Sequence, residues 1–171
     1  MKPMREVAAL LEDMLKAGVI TNYAVFGAVA QMRYTEAVLT DDVDVIVALP
    51  GDPGLDPLRT IHDYCRARGL SPQGQYVRVG NWPVQFHLPC NPVMEEALRQ
   101  CVVEDFEGVP LRVLTADYLA LLSLHVGRGK DYTRILQLME SGAVDLRSLE
   151  PVAKRLGLDA ALAKFRSRFS G

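Results

Sequence analysis

The segment 43–49 limits what this chain can fold into more than any other part of the sequence. It is rich in β-branched residues and is followed by a Pro-Gly pair, which is typical of a buried strand that ends in a turn. Successive side chains of a strand point to opposite faces, so Val43, Val45 and Val47 are predicted to enter the core. Asp42 and Asp44 then leave together from the other face. We therefore expect a sheet that carries a pair of carboxylates.

The order of the predicted elements changes at residue 115. Before it, helices are predicted over 4–17, 28–36, 58–68 and 92–100, and strands over 23–26, 43–49, 76–79, 84–88 and 109–114. After it, helices are predicted over 115–126, 131–140, 146–156 and 160–169, with Thr115 as an N-cap. This order predicts an α+β fold, with a mixed β-sheet core and flanking helices over 1–114 and a C-terminal helical part over 115–171.

Composition narrows the class of protein. The formal net charge of -2 gives the chain no general attraction to nucleic acid. Cys65, Cys90 and Cys101 are odd in number and lack ligand spacing, which disfavours a structural zinc site and favours unpaired thiols in a reducing compartment. No signal peptide and no stretch of membrane-spanning length is recognised. We expect a cytoplasmic protein that does not act with a membrane.

Gly27 and the carboxylate pair form the segment that indicates chemistry. Phe26-Gly27-Ala28 joins a predicted strand to a predicted helix, and thirteen residues separate it from Asp42. A glycine there lets backbone N–H groups approach a phosphate, and two carboxylates suit Mg²⁺, which takes oxygen ligands from carboxylates and substrate phosphates. Alternating Asp and Val is also typical of any half-exposed strand, and that interpretation is favoured for an isolated pair. The complete combination favours a site.

These motifs resemble the nucleotidyltransferase fold superfamily, and within it the small bacterial proteins related to abortive-infection nucleotidyltransferase toxins. The run Thr40-Asp-Asp42-Val-Asp44 matches the superfamily's carboxylate motif. The segment 80–88 matches its later core strand. The segments 114–119 and 127–131 match the start and the end of the first C-terminal helix. The resemblance implies a nucleotidyltransferase-like mixed sheet.

The resemblance also implies an activity, which is the Mg²⁺- or Mn²⁺-dependent transfer of a nucleotidyl group from a nucleoside triphosphate to an acceptor. Asp42 and Asp44 would be the metal ligands. Nucleotide-binding residues would be Gly27, Ala28, Thr40, Arg128 and Lys130. The two cations could reach a triphosphate across a cleft, or could be a charged loop at a helix C-terminus, where the dipole favours them. The acceptor could be a tRNA end, a protein or a small molecule.

The sequence departs from the superfamily's pattern at several positions. Ala28 stands where Gly or Ser is preferred, and Gln85 stands where active members carry a third carboxylate. Gln85 cannot act as a general base. His87 shares its face and either replaces the base or is an ordinary surface histidine. On the C-terminal helices, His125 stands where relatives often have Lys, and Arg134 where they often have Asp.

Three interpretations of function therefore remain open. The first is an active nucleotidyltransferase in which Asp42, Asp44, Gln85 and His87 form the catalytic group. The second is a catalytically impaired relative that binds a nucleotide or a protein partner. The loss of an acid at Gln85 favours it, and the retention of both aspartates opposes it. The third is a structural partner in a toxin–antitoxin pair.

Overall fold

The computed structural model describes residues 4–36, 38–52 and 54–169. Its helices are α1 (Arg5–Lys16), α2 (Gly27–Gln31), α3 (Arg59–Arg66), α4 (Pro92–Arg99), α5 (Ala116–Val126), α6 (Gly129–Glu140), α7 (Leu146–Arg155) and α8 (Asp159–Phe169). Its strands are β1 (Asn22–Phe26), β2 (Val43–Ala48), β3 (Pro72–Gln73), β4 (Tyr76–Val79), β5 (Trp82–His87), β6 (Val102–Phe106) and β7 (Val109–Val113). The predicted parts 1–114 and 115–171 each include positions outside the described ranges.

The described strands form one mixed sheet in the order β3-β4-β5-β2-β1-β7-β6. Strand β2 pairs antiparallel with β1 and parallel with β5, and β1 pairs parallel with β7. The α+β class is confirmed, and β1, β2 and β5 lie side by side around Asp44. The alternating valines of β2 are fully buried, as the period of the strand predicts.

Two local predictions were incomplete. The helix predicted over 28–36 ends at Gln31, and the chain then turns so that the Tyr34 hydroxyl donates a hydrogen bond to the Leu114 carbonyl at 3.0 Å. Strand β6 was not predicted because its two central acids, Glu104 and Asp105, interrupt the apolar pattern. It exists because it pairs along its whole length with β7 in a hairpin.

The helices after Thr115 share the core of the sheet. Thr115 is the N-cap of α5, and its hydroxyl accepts a hydrogen bond from the Tyr118 N–H at 3.5 Å. Buried side chains of these helices, including Ile135 and Phe165, belong to the same continuous hydrophobic core as the valines of β2. The division at residue 115 stays a prediction. Within the described ranges, no helix has the length and apolar character needed to cross a membrane.

A polar cluster joins three helices at one end of the core. The Tyr118 hydroxyl donates to Glu96 Oε1, and Arg155 donates from both terminal nitrogens to the same carboxylate at 2.6 Å. Glu96 lies on α4, Tyr118 on α5 and Arg155 on α7. Hydrogen bonds from Arg155 and Tyr118 lower the pKa of Glu96 from 4.5 to about 2. The charged form of Glu96 is therefore favoured by folding.

We expect Glu96→Gln to lower the melting temperature at pH 7 by a few degrees, on the order of 2–4 °C, because Arg155 is exposed and the pair is partly screened. A carboxyl whose pKa is lowered on folding stabilises above its ordinary pKa and loses that effect as the pH falls. The difference between the two proteins should therefore shrink between pH 4.5 and 2. Thermal unfolding followed by circular dichroism measures it. Glu95→Gln, on the exposed side of α4, is the control, and an equal shift in both variants would contradict a specific role.

Candidate active site

The carboxylate of Asp44 lies against the turn from β1 into α2. Phe26, the last residue of β1, is in register with Asp44 on β2. Gly27 follows with a φ of +67°, a conformation that strongly favours glycine. A Cβ at this position would lie 2.8 Å from Asp44 Oδ2. Gly27 is therefore required both by its backbone conformation and by its approach to the carboxylate.

Two polar side chains of β5 lie next to Asp44. Gln85 is its partner in the parallel register, and neighbouring residues in register share a face of the sheet. His87 Nε2 lies 2.9 Å from Asp44 Oδ1, and the imidazole packs edge-on against the Phe26 ring with centroids 5.1 Å apart. Asp44 thus stands at the centre of three adjacent strands. All three polar side chains are half-buried.

Asp42 precedes β2 and is held by its own loop. The Thr40 hydroxyl lies 3.1 Å from the Asp42 carbonyl oxygen and 3.2 Å from Asp42 Oδ1, and can donate to either. The role of Thr40 in nucleotide binding stays a prediction, and its hydroxyl contacts Asp42, a predicted metal ligand. This contact restrains the half-buried Asp42 side chain just before β2 begins.

The donor set fits a divalent cation that also uses ligands from a substrate. Among the residues the structure describes, no group of three or more His, Cys, Asp or Glu side chains is arranged to hold a metal ion. Two carboxylates alone leave most positions around Mg²⁺ to water or phosphate oxygens, which is how this ion is usually bound with nucleotides. Each carboxylate has one oxygen in a hydrogen bond, Asp42 with Thr40 and Asp44 with His87. The chemistry of Asp42 and Asp44 therefore suits a metal–phosphate complex.

Arg128 and Lys130 lie at a helix N-terminus. Helix α6 begins at Gly129 and not at residue 131 as predicted, so Arg128 is its N-cap and Lys130 lies in its first turn. The dipole of α6 disfavours cations there, but Arg128 also directly follows the C-cap of α5 at Gly127, so the alternative of a charged loop at a helix C-terminus stays a prediction. The Arg128 side chain donates to the buried Asp131 carboxylate at 2.8 Å, and this hydrogen bond raises the pKa of Arg128. Arg128 is thus already paired, whereas Lys130 is exposed.

The structure brings together two residues of α2 and α6 that the site prediction did not contain, Gln31 and Arg134. Arg134 of α6 donates from Nε to Gln31 Oε1 of α2 at 3.0 Å, and Gln31 donates to Gln137 Oε1 at 2.7 Å. Burial lowers the pKa of Arg134, while the negative charges of Asp131 and Asp44 act in the opposite direction. The only signal in the sequence was that Arg134 stands where the resemblance leads one to expect an acid.

A cavity of about 400 Å³ borders Gln137 and is lined by Thr35, Glu36, Gln137, Glu140 and Ser141. Its lining includes neither Asp42 nor Asp44. The cavity also carries carboxylates, Glu36 and Glu140, but the Gly27 turn that could receive a phosphate lies at Asp44, so we assign the candidate site to the aspartates at the sheet.

Neither a protein-family model nor a curated protein sequence matches this chain. Solved structures match its fold. An antigenic nucleotidyltransferase-like protein from Paracoccidioides brasiliensis is 14% identical, with 98% of this chain and 90% of that chain covered and a TM-score of 0.64. The antibiotic-resistance factor ANT(2'')-Ia is 13% identical, with 99% and 95% covered and a TM-score of 0.53. A second structure of ANT(2'')-Ia, in complex with adenylyl-2''-tobramycin, covers 97% and 96% at the same identity and TM-score.

The chain therefore has the nucleotidyltransferase fold that its motifs led us to expect. At 13–14% identity the likeness concerns the fold. The resemblance to abortive-infection toxins within the superfamily stays a prediction.

We expect Gly27→Ala to destabilise the protein by roughly 1–3 kcal/mol, because alanine is strained at this φ and its Cβ would collide with Asp44 Oδ2. The displaced carboxylate should also weaken the binding of Mg²⁺ with a nucleoside triphosphate. Gly69→Ala is the matched control, since Gly69 has a φ of +75° and open space at its Cβ. Thermal unfolding and titration calorimetry test the pair of variants. Wild-type ligand binding in Gly27→Ala would show that the close approach has no functional role.

Proposed function

We propose that this chain binds a nucleoside triphosphate with Mg²⁺ or Mn²⁺ at Asp42 and Asp44, as a nucleotidyltransferase-like protein whose transfer reaction is slow or absent. The observation that carries the proposal is the position of Asp44 on the nucleotidyltransferase fold, between the Gly27 turn and Gln85. The Gly27 turn leaves room for a phosphate and Asp44 can bind a metal ion, whereas Gln85 beside it is neutral. We therefore expect triphosphate binding without efficient transfer.

The two aspartates would hold the metal ion. Bound there, the ion would neutralise phosphate charge and orient the triphosphate for in-line displacement. The backbone at Gly27 and Ala28 would approach the phosphates, because no side chain at Gly27 blocks it. Helix α2 has only five residues, so its dipole adds little, and close approach is the main contribution. Lys130, exposed at the start of α6, remains available to a phosphate.

Gln85 limits the transfer step. Acceptor activation requires a group that can take a proton from a hydroxyl, and a neutral amide cannot do so. The loss of a general base typically costs about 10²–10⁴-fold in rate. Triphosphate binding should suffer less, because Asp42 and Asp44 are retained.

His87 has two possible roles that an experiment can separate. As a base it would accept the acceptor's proton, but its Nε2 is engaged with Asp44 Oδ1, so this contact would have to open first. As a positioning residue it would hold the Asp44 carboxylate through that same contact.

The acceptor is proposed by chemical class. A tRNA end, a protein hydroxyl and a small-molecule hydroxyl are all compatible with the reaction. The formal net charge of -2 argues against an RNA acceptor that contacts a large part of the protein surface. The complex of ANT(2'')-Ia with adenylyl-2''-tobramycin gives a precedent on this fold for a small molecule that carries an adenylyl group.

The binding proposal predicts a specific effect of removing both carboxylates. Titration calorimetry with ATP, CTP, GTP and UTP, each with Mg²⁺, should detect binding to the unmodified protein, and weaker binding of Mg²⁺ alone. Asp42→Asn combined with Asp44→Asn should abolish the metal-dependent part, because amides bind Mg²⁺ poorly. Asp41→Asn removes an exposed acid beside them and is the control. Unchanged binding in the double variant would make the pair structural, and no binding by the unmodified protein would favour a protein-partner module.

The transfer proposal predicts a gain from restoring the acid. Gln85→Asp should raise transfer from a labelled triphosphate by up to about 10²–10⁴-fold if the acceptor is supplied. Product formation with tRNA, protein and small-molecule hydroxyl acceptors is the measurement. Fast transfer by the unmodified protein that His87→Ala leaves unchanged would show that the third catalytic residue lies elsewhere.

Two variants of His87 separate its possible roles. His87→Gln keeps a hydrogen-bond donor for Asp44 but cannot act as a base. If His87 is the base, both His87→Ala and His87→Gln should remove the residual transfer. If it positions Asp44, His87→Gln should preserve most of the activity that His87→Ala loses.

A further inference from the structure

The Arg134 side chain extends from α6 to α2, where a hydrogen bond holds its guanidinium. Its Nε donates to Gln31 Oε1 at 3.0 Å, and Gln31 is itself 2% exposed and bound to Gln137. The Arg134 side chain is 21% exposed, so its base is covered while part of it reaches solvent. A cation held in this way loses little conformational freedom when it binds a ligand.

The position of Arg134 relates it to the aspartates at the sheet. Gln31 stands four residues after Gly27, which is about one turn along α2, and the Gly27 turn touches Asp44. Arg134 is therefore tied to the helix that begins at the expected phosphate position. Burial lowers the pKa of Arg134, and the charge of Asp44 is among those that oppose this effect, as expected for groups near each other.

The charge of Arg134 is only partly neutralised by neighbouring acids. Its Nη1 lies 3.8 Å from Asp131 Oδ1, beyond hydrogen-bond distance. Asp131 therefore forms an ion pair with Arg134 but accepts its hydrogen bonds from Arg128, through Nε at 2.8 Å, Nη2 at 3.4 Å and the backbone N–H at 3.1 Å. A guanidinium has five N–H donors. Within the described part of the chain, those on the two Nη atoms of Arg134 make no hydrogen bond.

We infer that Arg134 is the phosphate-binding cation of this site, and that its Nη groups contact the triphosphate from the α6 side while Asp42 and Asp44 hold the metal at the sheet. The planar guanidinium matches phosphate oxygens with two parallel N–H groups. This role rests on the proposed function. It assigns to Arg134 the contact that the sequence led us to expect from Arg128, whose guanidinium is engaged with Asp131.

Removal of this cation should weaken triphosphate binding. Titration calorimetry of Arg134→Gln with ATP, CTP, GTP and UTP, each with Mg²⁺, should show about 10- to 100-fold weaker dissociation constants for those the unmodified protein binds. Arg66→Gln is the matched control, because Arg66 also lies on a helix and pairs with an acid three residues earlier, Asp63. The control should bind as the unmodified protein does. Equal affinity in Arg134→Gln and the unmodified protein would overturn the inference.

A second pair of variants separates contact with phosphate from a purely structural link between α2 and α6. Gln31→Met removes the hydrogen bond to Arg134 and keeps the cation, so it should weaken triphosphate binding far less than Arg134→Gln. Equal losses in the two would mean that the link matters and not the charge. If Arg134→Gln does not fold, Arg134→Lys becomes the test. It should fold and bind several-fold more weakly, since an ammonium lacks the paired N–H groups, and unchanged affinity would again refute the contact.

Failure of this inference can be told from failure of the proposed function. If the unmodified protein binds none of the four triphosphates, both fail. If it binds them in an Asp42- and Asp44-dependent way but Arg134→Gln binds equally well, only the role of Arg134 fails.

Discussion

The contact between Gly27 and the Asp44 carboxylate is the constraint on which the site depends. It exists because the last residue of β1 lies in register with Asp44 on β2, so the chain must turn away at once beside a charged side chain. Only a residue without a Cβ fits there. The same register carries Gln85 alongside from β5. The antiparallel pairing of β2 with β1 and the parallel pairing of β2 with β5 therefore determine which residues surround the carboxylate.

The balance of charge around that contact follows from how the C-terminal helices pack on α2. Asp131 is nearly fully buried, and Arg128 neutralises it at the N-terminus of α6. This pairing leaves Arg134, one turn later, with a single hydrogen bond to Gln31 among the described residues. A buried acid thus determines which of two nearby arginines remains available. The described part of the chain places that arginine on the helix that faces α2.

Local sequence rules predicted the parts of the structure that local periodicity decides. The alternation of β2 correctly predicted that Val43, Val45 and Val47 are buried, although Ile46 on the opposite face is buried as well, and Thr115 was correctly identified as a cap, because both predictions depend on neighbours in sequence. The length of α2 and the existence of β6 were missed. The length of α2 depends on a distant partner, Leu114, whereas β6 pairs with its neighbour in sequence, β7, and was missed because Glu104 and Asp105 interrupt its apolar pattern. The contact between Gln31 and Arg134 spans 103 positions, so no spacing rule could have indicated it.

Gln85 and Arg134 change the site in the same electrostatic direction. The resemblance to the superfamily leads one to expect an acid at each position, so a neutral amide and a cation make the surroundings of Asp42 and Asp44 less negative than that pattern. A less negative site repels a triphosphate less, and a fixed guanidinium attracts it at close range. Gln85 also lacks the proton acceptor that the resemblance places beside Asp44 to activate an acceptor hydroxyl. For the proposed function, the two substitutions therefore act together: Arg134 and Gln85 would both help to retain a triphosphate, and Gln85 would slow its transfer.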